Sequence, residues 1–506
     1  MKKTIFIIST LFITGTGLIG QNTNGSGNQG FTRCATKVPS AAWDEQFNKQ
    51  VEAFKQQHAA DIANGKTTAT TYTVPMIFHI IHGGQAVGTY PNLNALQVQS
   101  QVTVLNQDYG GTGAGVSTYT ALTSGGNGPF YDYATTNTLP APNNTSAGIL
   151  PANLNITFVL APLDTAGNPL PEPGIDRVNY NDLAPSSTYT NTNPAQTSLT
   201  INNFSDFIDN IIKAPTIWDV TKYFNVWLTD EYQGTPQNPS GPGLLGYSTF
   251  PVNSTLTGLS GPYGDSYTDG CWFYAKACGS KNIYTGGSYT PDYNLGRTIT
   301  HECGHYLGLR HTWGDGSCVT DYCNDTPPEG GATYYGVSTG NSSWVYPYTK
   351  TNNCTATGAY KSDDGDGIMY MNFMDYSDDA YMCLFTPDQV TRMQTALTNS
   401  PNRNQLTQSA TNMGVGIKNT NPLAGNISLY PNPNNGQFNF SVALAEATNL
   451  NFSVVNMLGQ VVFNKTENNI SQTVLSYNLN ALGKGVYFIN ITDSKNNKTV
   501  KKMIIE

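Results

Sequence analysis

Three of the chain's six histidines fall in one eleven-residue run, His301-Glu302-Cys303-Gly304-His305-Tyr306-Leu307-Gly308-Leu309-Arg310-His311. On a helix, residues four apart share a face. His301 and His305 can therefore present both imidazoles to one ion, with Glu302 beside them near a fourth position. Gly308 can adopt φ > 0, which lets the helix stop and the chain swing back so that His311 supplies a third nitrogen. Three neutral nitrogens leave a zinc ion one open position for water, whose pKa falls toward about 7. Glu302 stands where a base would take that water's proton and pass it to a leaving amine. Hydrolysis of a peptide bond is the chemistry such a set serves, and three histidines at this density argue against coincidence.

The extended spacing resembles that of the metzincin metallopeptidases, HExxHxxGxxH followed downstream by a methionine-containing turn. Asn372-Phe373-Met374-Asp375-Tyr376 matches such a turn. With His311-Thr312-Trp313-Gly314-Asp315-Gly316 and Asn324-Asp325-Thr326-Pro327, it is most similar to the pappalysin family, in particular its cytophagalysin-like members. The resemblance implies one catalytic zinc on His301, His305 and His311, with Met374 as an apolar floor beneath them and Tyr376 stabilising the developing oxyanion. It also implies an α/β catalytic domain, in which a mixed twisted sheet and a zinc helix over 294–307 face an irregular lower subdomain across a cleft. Relatives bind calcium near the matching Asp-Thr-Pro region. Asp315, Asp321, Asp325 and Thr326 are accordingly expected as calcium ligands, and Asp363-Asp364-Gly365-Asp366-Gly367 reads as an incomplete calcium loop. Asp378 and Asp379 are expected in the wall of the pocket after the scissile bond, where acidic groups favour Arg or Lys.

The cysteines need separate readings. Cys34 lies upstream of the catalytic region in Arg33-Cys34-Ala35-Thr36. Its thiolate could fill the open metal position and keep a precursor latent, the alternative being a disulfide with another cysteine. Cys271 and Cys278 are close enough for a local bridge, and Cys303 is a bridge partner or a buried thiol. Cys318, Cys323, Cys354 and Cys383 fall in a loop-rich part where disulfides would substitute for a thin core, with connectivity left open.

Positioning these residues takes several folding units, because 506 residues exceed what one core usually organises. A charged share of only 12%, with abundant Gly, Asn, Thr, Ser and Tyr, favours β-rich and loop-rich structure. The net charge of −9 makes nucleic acid an unexpected partner. Strands are expected over 73–82, 155–161, 223–229 and 244–250, and helices over 41–62, 93–105, 204–213 and 387–397. Strands interleaved with helices predict a mixed α/β sheet.

Residues 1–20 read as a secretory signal, 21–70 as a propeptide, 71–400 as the catalytic domain and 401–424 as a polar linker. Residues 425–506 change to short alternating runs between Asn, Gly and Pro turns, the pattern of an all-β immunoglobulin-like sandwich. Leu429-Tyr430-Pro431-Asn432-Pro433, Met457-Leu458-Gly459-Gln460-Val461 and the basic stretch 498–502 resemble the sorting domains of type IX secretion. The resemblance implies the secretion machinery as a partner and a secreted or cell-surface location. The expected activity is that of a monomeric, secreted zinc endopeptidase cutting extracellular proteins. The alternative is a zinc-containing surface adhesin, against which Glu302 argues, because a structural zinc site is closed by four protein ligands and needs no base.

Overall fold

The computed structural model describes residues 31–64, 70–140, 143–183, 201–230, 243–252, 264–337, 340–348, 354, 366–412, 423, 426–457, 459–495 and 497–506. The expected signal, most of the incomplete calcium loop and residues 413–422 and 424 of the expected linker lie outside these residues. No helix among them is long and apolar enough to cross a membrane.

Strand β1 (Phe31–Thr32) and helix α1 (Ala41–Ala63) precede the sheet. The central strand β2 (Tyr72–His82) is buried along almost its whole length, as its continuous apolar run requires. On one side it pairs in parallel with β3 (Ile156–Leu160) and then β4 (Ile175–Asn179), and on the other with β5 (Phe224–Thr229). Beyond β5 lies β8 (Cys271–Tyr274), parallel to it, and then the antiparallel edge strand β7 (Gly246–Ser248). The short β6 (Gly243–Leu244) pairs in parallel with β1 rather than with this sheet. The single strand expected over 244–250 is therefore two short ones, and β4 and β8 were not anticipated.

Helix α2 (Ala95–Tyr109) crosses the sheet, its first turn capped by the Asn94 side chain accepting from the Leu96 amide. Helix α3 (Ile201–Phe207) runs on as a wider turn over Ile208–Lys213. Helix α4 (Arg297–Tyr306) carries the first two histidines and is buried throughout. Helix α5 (Pro387–Asn399) opens with a reciprocal cap, Thr386 to the Gln389 amide and the Gln389 side chain back to the Thr386 amide. One core joins β2, β5 and β8 to α2, α4 and α5 through residues such as Phe78, Leu105, Phe273, Ile299, Met374 and Met393.

The expected linker is corrected here. Residues Pro401–Asn412 form helix α6, whose Leu406 enters that same core. Arg403 is fully buried, with two hydrogen bonds to Asp269 at 2.6 and 2.8 Å, a third to the Tyr306 carbonyl at 2.9 Å, and its guanidinium 3.3 Å above the Tyr306 ring. A bidentate ion pair, together with the buried Leu406 and Ala410, holds this otherwise polar helix in place.

The C-terminal unit is antiparallel, in the order β11 (Val461–Asn478), β10 (Gln437–Val455), β12 (Gly485–Asp493), β13 (Lys498–Ile505), with β9 (Ile427–Tyr430) on the first half of β10. Register shifts in β10 after Ala443 let its two halves pair with different neighbours and wrap the sheet around its own core of Phe440, Phe452, Ile489 and Met503. This is the immunoglobulin-like all-β architecture expected after a mixed α/β domain.

Candidate metal centre

Helix α4 sets His301 and His305 one turn apart, and Gly308, at φ +94°, turns the chain back so that His311 meets them. Each ring is oriented through Nδ1. His301 donates to the Phe373 carbonyl at 2.7 Å, His305 to the Leu309 carbonyl at 2.8 Å, and His311 to the Asp315 carboxylate. All three Nε2 atoms are thereby left facing one point. The His305 and His311 Nε2 atoms lie 3.2 Å apart, and that of His301 is buried without a partner. Two nitrogens at tetrahedral positions about 2.0–2.1 Å from one ion are spaced this way, so the set fits a metal. Burial, and then the neighbouring histidines, pushes the His301 pKa well down and that of His305 to about 3, which keeps both neutral as ligands must be.

The fourth corner is Cys34. Its Sγ and the three imidazole nitrogens lie within 4.8 Å of one another, and all four residues are buried. They form the only such His, Cys, Asp and Glu cluster among the described residues. The segment carrying Cys34 lies along the sheet's edge. The Leu245 amide donates to the Thr32 carbonyl at 3.0 Å and the Ala35 amide to the Gly246 carbonyl at 3.1 Å. Thr36 accepts from the Ser248 amide at 2.8 Å and donates its hydroxyl to Glu302 Oε2 at 2.7 Å. The other oxygen of Glu302 is buried with no partner, and burial raises this carboxyl to about 7.

Met374 is fully buried, its sulfur packed against Gly304 of helix α4. A β-carbon on Gly304 would lie 2.4 Å from its sulfur, so the glycine is what allows that approach. The Tyr376 ring is 5.6 Å from the His301 ring and 5.1 Å from that of His311. Trp313, to which the sequence assigned no role, stacks flat on His311 at 4.4 Å.

Several expected sites are rearranged. Asp315 bonds His311 and Arg310 instead of joining an acidic cluster. Asp325 is used up structurally, accepting from Thr386, Asn143 and the Asp388 amide, while Thr326 bonds to Asp321. The four residues thus do not converge on one cation. Asp379 is fully buried, its Oδ1 accepting from both Nη atoms of Arg33 at 3.3 Å and its Oδ2 from the Leu295 and Arg297 amides. Asp378 turns instead to the Val337 amide at 3.0 Å. The local Cys271–Cys278 bridge is absent: both thiols are free and buried, as are Cys303, Cys323 and Cys383, whereas Cys318 and Cys354 form a disulfide.

A buried trio of imidazoles with an adjacent carboxylate, set between a mixed sheet and a methionine turn, defines a metallopeptidase-type centre. Comparison with known proteins agrees. Residues 280–398 match the family described as pregnancy-associated plasma protein-A, and residues 428–506 match the secretion system C-terminal sorting domain. Extracellular metalloproteases of Arthroderma gypseum and Coccidioides posadasii are 35% and 37% identical over 156 and 153 residues. These alignments take in 30% of this chain and 42% and 44% of the relatives, so the chain spans less than half the length of the curated proteins it matches. Mature mirolysin of Tannerella forsythia, solved with a cleaved peptide, is 28% identical, with 68% of this chain and 99% of that one covered at a TM-score of 0.47. A promirolysin mutant of the same organism is 27% identical over 75% of this chain and 98% of that one, also at 0.47. The chain therefore joins a pappalysin-type metzincin domain to a type IX sorting domain, and is a secreted or cell-surface protein.

Proposed function

We propose that the protein is a zinc-dependent endopeptidase of extracellular proteins, held latent by its own residues 31–64. The observation that carries this reading is the meeting of three Nε2 atoms and the Cys34 sulfur at one buried point beside Glu302. His301, His305 and His311 would hold zinc, which would supply Lewis acidity toward a peptide carbonyl and acidify water to a pKa of about 7. Glu302 takes the proton from the attacking water and delivers it to the leaving nitrogen. The Tyr376 hydroxyl donates to the oxygen on which negative charge develops. Asp379, at the floor of the pocket that Arg33 fills, selects a basic side chain after the scissile bond, and type IX machinery reads residues 428–506 as the export signal.

The same contacts explain latency. Cys34 takes the position water would need, and Thr36 occupies the base. The segment runs from Arg33 in the acidic pocket toward Thr36 at Glu302, parallel to β6. A substrate whose basic side chain follows the scissile bond runs the opposite way past the same three points. The leader thus fills the cleft in reverse and offers no bond in the productive direction.

A closed set of one cysteine and three histidines also suits a structural zinc site in an adhesin, and one experiment separates the readings. The zinc-loaded full chain carrying Cys34→Ser should hydrolyse an unfolded protein substrate, and Cys34→Ser with Glu302→Gln should keep its zinc and lose hydrolysis by about 10²-fold or more. Equal inertness of both, zinc retained, favours the adhesin.

A further inference from the structure

Two of the three histidines are oriented by neutral backbone carbonyls and the third by a carboxylate. We propose that Asp315, itself held by Arg310, is a positioning residue that makes His311 the strongest donor of the three. This rests on the reading of the cluster as a zinc site. Asp315 follows His311 by four residues across a tight turn, in which Asp315 takes φ +63° and Gly314 φ +65°. The turn folds the carboxylate back onto Nδ1. Its Oδ1 accepts from the imidazole and its Oδ2 accepts from Arg310 Nη1 at 2.8 Å, so both oxygens have assigned partners. The side chain is 9% exposed, and the Trp313 ring stacked on His311 covers one face of the imidazole. A buried carboxylate on Nδ1–H fixes the proton there, locks the ring's orientation and leaves Nε2 as the lone-pair nitrogen that faces the metal position.

The geometry makes substitution by Asn informative. Asn tolerates the left-handed backbone as well as Asp does. Its amide, however, cannot satisfy both neighbours. With the carbonyl toward His311, the NH2 group faces the Arg310 guanidinium, donor against donor. With the carbonyl toward Arg310, the NH2 group faces Nδ1, which must then accept, and the proton moves to Nε2, the atom a metal needs. Either arrangement weakens the third ligand while leaving the turn intact.

The test is zinc affinity of the full chain, by competition with a chelator, for the parent and Asp315→Asn. The variant should bind zinc about ten- to a hundred-fold more weakly, a loss larger than whatever stability the zinc-free chain gives up at the buried Arg310 pair. Equal affinity in the two proteins overturns the proposal, as does a loss of affinity matched by an equal loss of zinc-free stability. A second measurement does not depend on the variant folding. In the proton spectrum of the zinc-loaded parent, the His311 Nδ1–H should resonate downfield of those of His301 and His305, and three coincident resonances would also overturn it. A parent chain that binds no zinc would sink the zinc reading itself, whereas a parent that binds zinc and a variant that binds it equally well would sink only the role of Asp315.

Discussion

Replacing Asp44 by Ala should loosen helix α1 of the leader. Asp44 lies on α1, is 1% exposed, and faces two buried arginines of the catalytic domain. Its carboxylate binds Arg310 Nε at 3.1 Å, the Arg310 Nη2 atom, and Arg392 Nη2 at 3.5 Å. Removing one member of a buried ion pair costs about 3–5 kcal/mol, because the remaining charge stays buried. Here the arginines keep other acceptors: Asp315 and the Pro39 carbonyl for Arg310, the Gly308 carbonyl and Asn48 for Arg392. The lower end of the range therefore applies, about 3 kcal/mol, or roughly a hundredfold in the opening equilibrium of α1. Hydrogen exchange of the full chain reads this directly. Amides of 43–58 should exchange about a hundredfold faster in Asp44→Ala, while those of β10 and β12 should not change. Unchanged exchange in α1, or equal acceleration in the sorting domain, would refute the claim that this ion pair fastens the leader.

Two further outcomes are expected. In the activated enzyme, Asp379→Asn should lower kcat/KM for substrates with Arg or Lys after the scissile bond by about 2–5 kcal/mol, at least roughly thirtyfold, and spare those with apolar side chains; a uniform loss across both peptide series would show that Asp379 only supports the fold. Asp321, buried and raised to about 8 by that burial, holds its proton in the folded state well above the pH at which the unfolded chain releases it. The protonated form also completes the local bonding, since its hydroxyl can donate to Thr326 while Thr326 donates to the Cys323 carbonyl. The folded state therefore binds more protons than the unfolded one between about pH 4 and 8, and this group's contribution to stability declines as pH rises through that window. Asp321→Asn should flatten the decline in urea midpoint between about pH 5 and 8; a variant that tracks the parent at both pH values would contradict the assignment.

What could be read from the sequence followed how much of each signal was local. The continuous apolar run of β2 and the helical spacing of α2 are carried by their own residues, and both elements formed within a few residues of expectation. Strand β8 has only four residues, too few to show a period, and is a strand because β5 and β7 flank it. Strand β4 holds half-buried side chains on the sheet edge and carries no alternation. Helix α6 looked like a linker because its buried face is short, only Leu406, Ala410 and a buried arginine on an otherwise polar segment. The metal ligands were legible because helical spacing alone brings two of them together. Asp315 was grouped with Asp321 and Asp325 because all three fall in one loop-rich stretch, whereas its positive φ returns it to His311. Arg33 and Thr36 flank Cys34, yet nothing local says that one meets Asp379 and the other Glu302, since those contacts span 346 and 266 residues.

The central claim is that Cys34 and the three histidines share one zinc ion in the latent chain. X-ray absorption at the zinc edge of the zinc-loaded full chain tests it most directly. The expected result is about three nitrogens at about 2.0–2.1 Å and one sulfur at about 2.3 Å, the sulfur shell vanishing in Cys34→Ser. A shell of nitrogen and oxygen alone in the parent would contradict it.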